Sequence, residues 1–390
     1  MTFDKASLLW SLPWDADWVS AVSFVGNNRV AAGNNLGQIL LWDLPANPEK
    51  AADKPAPAKP GGGGGAADKA ERPQFAAPPP ARQLVGHTNV VNRLLCVDGR
   101  WLISASNDHT IQYWDADAAP AGEAATVVLN AGAIEDATRR KGNGAKVPPP
   151  IEAKVKSQSS ARTIEGREWI TGLSVSRDGS TLIAGDDAGN VTLYDRAAGT
   201  ERARWQVKGW AFAVAVAPDL KQAAVSERYP LVFDSGRHTA LKLWDLAASP
   251  PAVRFDLSKE FKDGQVAAAA YAPDGETLAV GRGGEADGTK GIVTLLDPAT
   301  GKKVRELTPG HLNGLTDLCF HPDGKHLASC GRDTVVRLWS VADGKLVKEL
   351  GKPRGGQFKD WIHAVSFSPD GNRLAAADMS GLVHVWSLGG

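Results

Sequence analysis

Two trios of histidine, serine and aspartate contain the residue types that nucleophilic hydrolases use. The trios are His87, Ser104 and Asp108, and His311, Ser329 and Asp333. In a hydrolase the carboxylate orients the imidazole, and the imidazole takes the proton of the serine hydroxyl. Two copies at nearly the same spacing are better explained by a repeated structural unit than by one active site. The elements that carry the trios therefore decide their role.

A turn signal recurs between pairs of short apolar runs. Its four strongest copies contain Asp-Gly, three of them after a proline, at residues 176–179, 272–275, 321–324 and 368–371. Proline fixes φ, aspartate bonds to its own backbone, and glycine accepts a left-handed conformation, so each copy predicts a tight antiparallel reversal. Weaker variants at residues 25–27, 97–99 and 217–219 bring the number of predicted reversals to seven.

Each predicted unit ends in an aromatic or apolar residue followed by Asp or Ser. These endings begin at Trp42, Trp114, Tyr194, Trp244, Leu296, Trp339 and Trp386. Seven recurrences of strand, turn and strand resemble the WD-repeat (G-beta repeat) family, whose units are four-stranded propeller blades. The resemblance extends over residues 1–390 apart from two insertions. It implies an all-β fold, a single seven-bladed β-propeller of four-stranded antiparallel blades.

The N-terminal segment offers a way to close the ring. Residues 7–12 precede the first inner strand, and no third strand comes before them. A propeller whose first and last blades do not join leaves unpaired strand edges. We therefore expect the N-terminal strand to pair in the last blade, beside residues 383–388.

Two insertions follow the third strands of blades 1 and 2. Residues 45–82 contain nine prolines and a run of five glycines, so we expect a disordered Pro/Gly-rich insertion. Residues 116–158 are basic in their second half, and we expect them to be largely disordered as well. Residues 126–129 could instead form an outer strand.

The family resemblance gives the two trios a structural role. In WD-repeat proteins the corresponding His, Ser and Asp join the strand-ending tryptophan, here Trp114 or Trp339, in a buried hydrogen-bond network. The resemblance therefore implies that these eight residues stabilise blade geometry and that none is catalytic. The sequence also contains no nucleophile elbow, phosphate-binding glycine loop or metal-spaced His/Cys cluster, so no cofactor or metal is expected.

One position at the start of the inner strand carries tryptophan in four of the seven predicted blades. The four are Trp18, Trp169, Trp210 and Trp361, and the acids that precede three of them are Asp17, Glu168 and Asp360. Indole faces beside carboxylates favour a cationic group such as an Arg or Lys side chain. The same indoles could instead pack between neighbouring blades, and the sequence leaves both interpretations open.

Charge and hydropathy limit the partner classes. The chain has 44 Lys+Arg and 44 Asp+Glu, and no apolar run reaches the roughly 18 residues that a membrane helix needs. Membrane binding is not expected, and nucleic-acid binding is not favoured because no aromatic residue interrupts the basic part of the second insertion. Three cysteines and the lack of a secretion signal favour a cytoplasmic location, and the Ala, Pro and Gly content favours a bacterial source.

These observations predict a non-enzymatic scaffold that mediates protein–protein interaction through the axial face bearing the four tryptophans. The partner would be a protein or peptide that presents Arg or Lys. The alternatives are an enzyme or a regulatory subunit that uses the propeller as a scaffold and has its specificity in the loops or insertions. The sequence does not determine the oligomeric state.

Overall fold

A computed structural model describes residues 3–15, 18–51, 71–139, 146–228, 240–261, 265–283, 291–352 and 361–389. These residues contain thirty β-strands, one α-helix and a 3-10 helix at Phe3–Lys5. Strand segments therefore account for nearly all the regular structure, as expected from the repeated turn signals.

The strands are given in chain order. The first sixteen are β1 (Ser7–Pro13), β2 (Val19–Phe24), β3 (Arg29–Asn34), β4 (Ile39–Asp43), β5 (Arg82–Val85), β6 (Val91–Val97), β7 (Trp101–Ser106), β8 (Thr110–Asp115), β9 (Ala124–Val128), β10 (Glu152–Ser159), β11 (Arg162–Glu165), β12 (Ile170–Val175), β13 (Thr181–Asp186), β14 (Asn190–Asp195), β15 (Glu201–Gln206) and β16 (Trp210–Val216). Helix α1 (Ala131–Arg139) lies between β9 and β10.

The remaining strands complete blades 4 to 7. They are β17 (Gln222–Arg228), β18 (Ala240–Asp245), β19 (Ala252–Asp256), β20 (Val266–Tyr271), β21 (Leu278–Arg282), β22 (Gly291–Asp297), β23 (Lys302–His311), β24 (Leu315–Phe320), β25 (His326–Gly331), β26 (Val335–Ser340), β27 (Leu346–Gly351), β28 (Ile362–Phe367), β29 (Arg373–Asp378) and β30 (Leu382–Ser387).

The predicted seven-bladed propeller is confirmed. Six sheets have four strands each, and the seventh contains four blade strands and two additional ones. The inner strands of blades 1 to 7 are β2, β6, β12, β16, β20, β24 and β28. From each inner strand the chain passes outward through the next strands of the blade, and neighbouring blade strands pair antiparallel. Consecutive blades contact each other through their inner strands.

The Asp-Gly turns have the chemistry that the sequence predicts. Asp178, Asp274, Asp323 and Asp370 each accept a hydrogen bond from the backbone amide two residues later. The glycine that follows each aspartate has φ between +68° and +79°. A side chain at that φ would be strained, so the four glycines fix the positions of the reversals.

The core lies between adjacent blades. One cluster joins Trp42 and Val22 of blade 1 to Val385 of blade 7, and it includes Trp10 and Trp14 from the N-terminal segment. A second cluster joins blades 6 and 7. Because each blade buries its faces against its neighbours, the ring must close for every blade to be covered.

Ring closure by the N-terminal strand is also confirmed. Strand β1 pairs antiparallel with β30, with Ser7 opposite Ser387 and Pro13 opposite Leu382. The fourth strand of blade 7 therefore comes from the opposite end of the chain, and the contact between the two ends is part of a sheet.

The described ends of the first insertion support this closure. Glu71 accepts a hydrogen bond from the Leu8 amide at 3.0 Å and one from the Trp386 indole at 3.3 Å. The ring of Phe75 lies 5.6 Å from that of Trp10. The expected disorder of residues 45–82 therefore does not apply at Glu71 and Phe75. Residues 52–70 lie outside the described residues.

The second insertion differs from the largely disordered segment expected for residues 116–158. Its described part contains β9, α1 and β10, and β10 pairs parallel with β5, the fourth strand of blade 1. Strand β9 pairs antiparallel with β10 and ends the six-stranded sheet. Buried Val127 and Val155 join the core between blades 7 and 1, which supplies the apolar contact that ordering requires. The alternative of an outer strand near residues 126–129 is close to the observed β9.

Candidate functional site

The four tryptophans occupy equivalent positions in their blades. Trp18, Trp169 and Trp361 each directly precede an inner strand, and Trp210 is the first residue of one. The carbonyl of this position accepts a hydrogen bond from the amide of the residue that follows the second strand in six blades, at residue pairs 18–35, 90–107, 169–187, 265–283, 314–332 and 361–379. The backbone pairing in these six blades therefore places the predicted position at equivalent points.

We call the ring of these seven positions the axial rim. Two of its indoles are exposed, with 50% of Trp18 and 42% of Trp169 accessible to solvent. The indoles of Trp210 and Trp361 are half-buried. Two of the four rim tryptophans are therefore about half exposed, and the other two are half-buried.

Arginine covers both of the half-buried indoles. The guanidinium carbon of Arg332, from blade 6, lies 4.4 Å from the ring centre of Trp361 in blade 7. The guanidinium carbon of Arg228 lies 6.0 Å from the ring of Trp210 and 4.7 Å from that of Phe212. These distances are those of cation–π contacts. Neither arginine was predictable from the sequence, because each contact depends on how neighbouring strands or blades are placed.

Carboxylates neighbour Trp169, one of the two exposed rim tryptophans. Glu168 is exposed, and Asp187 accepts a hydrogen bond from the Trp169 amide at 3.0 Å. Burial raises the pKa of Asp187, and the nearby carboxylates of Asp186 and Glu168 raise it further. A cation beside Trp169 would relieve this repulsion. Asp17 and Asp360, the other two acids predicted for the rim, lie outside the described residues.

The predicted hydrogen-bond network is complete in blade 6. The Trp339 indole lies 2.8 Å from Ser329 Oγ, Ser329 Oγ lies 2.8 Å from His311 Nε2, and His311 Nδ1 lies 2.8 Å from Asp333. Since an indole only donates, Ser329 Oγ accepts from Trp339, and Arg337 Nη1 also lies 2.6 Å from His311 Nδ1. Burial lowers the pKa of His311, which favours the neutral imidazole.

Asp333 is held ionised in the same network. Burial raises the pKa of its carboxyl group, but the hydrogen bond from His311 and the Arg337 guanidinium outweigh burial and leave the pKa below its usual value. Arg337 lies 2.8 Å from the carboxylate. The serine hydroxyl is buried between the indole and the imidazole, an arrangement that offers no approach for a substrate.

Blade 2 contains a shorter version of the network. His87 Nδ1 lies 2.7 Å from Asp108, and His87 Nε2 contacts Ser104 Oγ. The Trp114 indole nitrogen is buried with no hydrogen-bond partner in the described part of the chain, although its ring packs 5.5 Å from that of His87. The geometry therefore departs from the family expectation at Trp114, whose indole does not reach the serine.

The structure also brings together a cluster that the sequence analysis missed. The ligand atoms of His321, Asp323 and His326 lie within 4.8 Å of one another. His321 Nε2 lies 3.0 Å from the Gly371 carbonyl, and its Nδ1 lies 3.1 Å from the Asp323 amide. Because both nitrogens of His321 already have partners, the cluster fits a hydrogen-bonded turn. The ring of Phe3 packs edge-on against both imidazoles.

An axial channel of about 830 Å³ runs between the inner strands. Arg93 and Asp317 line it, and Asp317 accepts a hydrogen bond from the Val365 amide at 3.1 Å. Burial raises the pKa of Asp317, and the charge of Arg93 opposes this effect.

The three cysteines occupy the inner blade strands and their neighbours. Cys330 is buried, whereas Cys96 and Cys319 are half-buried and line the channel. Burial raises the pKa of all three thiols, well above the usual value for Cys319 and Cys330. A raised pKa keeps each thiol protonated at neutral pH and disfavours nucleophilic chemistry.

The comparison with protein families agrees with the blade geometry. The model of the WD domain, G-beta repeat, matches residues 79–115, 158–195, 301–340 and 345–387. Each match ends at a third blade strand. These four segments of the chain match the WD repeat, and all four lie in blades of the seven-bladed propeller. Propellers of this family are generally non-enzymatic scaffolds for protein interaction. No helix among the described residues is long and apolar enough to cross a membrane.

Curated relatives are similar over short segments. The chain is 33% identical over 100 residues to actin-interacting protein 1 of Drosophila melanogaster, covering 25% of this chain and 16% of the relative. It is 39% identical over 66 residues to nuclear distribution protein nudF 2 of Talaromyces marneffei, covering 17% and 14%. The alignments span less than a fifth of the length of these two relatives.

A solved structure matches nearly the whole chain. The WD40 β-propeller domain of Doa1 superimposes with a TM-score of 0.65 at 16% identity, covering 98% of this chain and 97% of that one. At an identity this low, the structural similarity is evidence for a shared fold alone.

Proposed function

We propose that this WD-repeat protein is a non-enzymatic, cytoplasmic scaffold that binds a partner protein through the axial rim. The partner presents Arg or Lys side chains to the exposed indoles of Trp18 and Trp169, with Glu168 beside the second indole. A closed ring holds these groups in place before the partner arrives, so binding loses little conformational entropy in the platform.

The contact between Arg332 and Trp361 carries the proposal. There the protein itself places a guanidinium 4.4 Å from a rim indole. Trp18 and Trp169 present the same group at the same blade position with about half of the residue's surface exposed. A partner's arginine at either indole would repeat an arrangement that the rim already contains.

Binding selection with short random displayed peptides tests this function. Wild-type protein should enrich peptides that contain Arg or Lys. The double variant Trp18→Ala/Trp169→Ala should keep its fold and bind the selected peptides about tenfold or more weakly, since each cation–π contact contributes about 0.5–2 kcal/mol.

A matched control is Trp101→Ala. Trp101 follows the turn at the other end of the inner strand and lies under Arg100 at 5.2 Å. This variant should bind as wild type does, and replacing the peptide's Arg or Lys with Gln should reproduce the loss seen in the double variant. Equal binding by all variants, or enrichment of uncharged peptides at the rim, would refute the proposal.

A further inference from the structure

The free edge of blade 1 differs from those of the other blades. Strand β9 is the last strand of its sheet in the described residues, with β10 on its inner side. Its sequence, Ala-Ala-Thr-Val-Val, contains neither charge nor proline. Proteins usually protect an exposed edge strand with one of these, so an uncharged edge is an unusual feature of this molecule.

The outer strands of the other six blades are protected. Five of them, β11, β15, β19, β23 and β27, carry charged residues. The sixth, β1, ends in Pro13, and its outer edge accepts hydrogen bonds from Gln74 and Phe75 through the carbonyls of Leu8 and Leu9. Among these seven outer strands of the described residues, only β9 has no charged residue, no proline and no segment hydrogen-bonded to its outer edge.

The register shows which backbone groups of β9 are available. The Leu129 amide donates to Ile151 and the Ser157 amide donates to Glu123, at 2.7 and 3.2 Å. In an antiparallel pair the bonded residues alternate, so the odd-numbered residues of β9 bond to β10. The backbone N–H and C=O groups of Ala124, Thr126 and Val128 therefore point away from the sheet.

The edge is held in a fixed position. Val127 and Leu129 are buried in the core between blades 7 and 1. The Leu129 carbonyl accepts a hydrogen bond from the Asp15 amide at 2.8 Å, and the Gly132 amide donates to the Asp15 carbonyl. A peptide that pairs with β9 would therefore meet an ordered strand.

An apolar groove adjoins one end of the edge. Val128 and the helix residues Ala131 and Ile134 line a space of about 460 Å³. Its polar border is formed by Glu135, Thr138 and Arg139, and Arg139 pairs with Glu135 at 3.3 Å. The groove has room for a large apolar side chain, and its two border charges already neutralise each other.

We propose that β9 binds an extended, uncharged segment of a partner protein, which adds a seventh strand to blade 1 and places a large apolar side chain in the groove. Backbone hydrogen bonds to residues 124, 126 and 128 would provide the pairing, and the groove would provide the side-chain preference. This surface shares no residue with the axial rim.

The groove distinguishes a partner segment from a second copy of this chain. In a two-fold antiparallel pairing of two β9 strands centred on Thr126, Val128 would face Ala124 of the other copy. A methyl group cannot fill a space of about 460 Å³. A segment with Leu, Ile, Met or Phe near Val128 fills it better, so we assign the edge to a partner segment.

Selection with displayed uncharged nonpolar peptides, followed by hydrogen exchange, tests the proposal. Enriched peptides should contain a large apolar residue within an extended pattern. When one of them binds wild-type protein, the amides of Ala124, Thr126 and Val128 should become protected from exchange. Those of Ala125 and Val127, which already bond to β10, should change little.

Two variants separate the edge from the groove. Thr126→Pro removes an outward N–H without removing a bond to β10, and Ile134→Asp places a charge in the groove. Each should weaken binding by roughly tenfold or more. Val253→Asp, at a 45% exposed residue of outer strand β19, is the matched control and should bind normally.

The outcomes that overturn the proposal are equally specific. Ile134→Asp, whose charge lies outside the sheet, keeps the test decisive if Thr126→Pro does not fold. Failure to enrich any peptide, or unchanged affinity in Ile134→Asp with no new protection at residues 124–128, would overturn it. A concentration-dependent dimer of wild-type protein that protects the same three amides would assign the edge to a second copy instead.

Discussion

The hydroxyl of Ser329 connects two buried polar groups in blade 6. It accepts from the Trp339 indole and contacts His311 Nε2, both at 2.8 Å. In blade 2 the corresponding Ser104 contacts His87, while the indole nitrogen of Trp114 has no hydrogen-bond partner among the described residues. The sequence contains the same four residue types in both blades, so it predicted the same hydrogen-bond network in each. It could not reveal this difference, because packing around the strand decides whether the indole reaches the serine.

Replacing the two serines should therefore have unequal effects. Ser329→Ala leaves an indole N–H and an imidazole nitrogen unpaired, and should lower the free energy of unfolding by about 1–3 kcal/mol. Ser104→Ala removes the partner of one imidazole only and should cost less. Chemical denaturation of both variants measures the difference. Equal losses, or no loss for Ser329→Ala, would contradict the assigned hydrogen bonds.

The pH dependence of stability tests the neutral state of His311. Burial lowers its pKa in the folded protein below the ordinary value of 6.5. Below about pH 6.5 the His311 side chain binds a proton more readily in the unfolded chain than in the folded protein. The stabilisation that the neutral imidazole provides above this pH is therefore lost as the pH falls through the folded-state pKa of His311.

The comparison variant is His311→Asn. Its stability deficit relative to wild type should shrink as the pH is lowered from 7 to about 5.5, as followed by denaturation at each pH. A deficit that grows over this range would indicate that the folded protein stabilises a protonated His311.

Individual strands and turns were predictable to the extent that their chemistry is local. Each Asp-Gly turn is specified by a few neighbouring residues, and the β1 pairing followed from the need to cover the last blade. The β5–β10 pairing was not predictable, because it joins segments that are far apart in sequence and β10 carries lysines at exposed positions. The ordered contacts of Glu71 and Phe75 were not predictable for the same reason, since their partners lie on β1 and β30.

Removing residues 1–12 tests the closing strand. The deletion exposes the outer edge of β30 and removes Trp10 and Leu12 from the core, where both are almost fully buried. The thermal midpoint should fall sharply, because loss of a large buried side chain alone costs about 3–5 kcal/mol.

Addition of a synthetic peptide of residues 1–13 provides the control for this deletion. It should restore part of the lost stability by pairing with β30 in trans. A midpoint that the deletion leaves unchanged would show that β1 does not contribute to closure.

At the scale of the whole molecule, we propose two binding surfaces that share no residue. The axial rim carries Trp18 and Trp169, and the edge of β9 lies on the outside of blade 1. The repeat period predicted the shared blade position of the tryptophans in the first surface, because each blade repeats the same strand order. It could not predict the second, which comes from an insertion in blade 2 that extends blade 1.

The central claim is that the axial rim binds the partner. The most direct measurement is an amide hydrogen-exchange footprint of wild-type protein with an Arg- or Lys-containing peptide from the binding selection. We predict new protection at residues 18–20, 35–37, 169–171 and 187–189, the segments that form the rim around the two exposed indoles. Protection confined to the opposite ends of the inner strands, or absent from all four segments while the peptide is bound, would contradict the account.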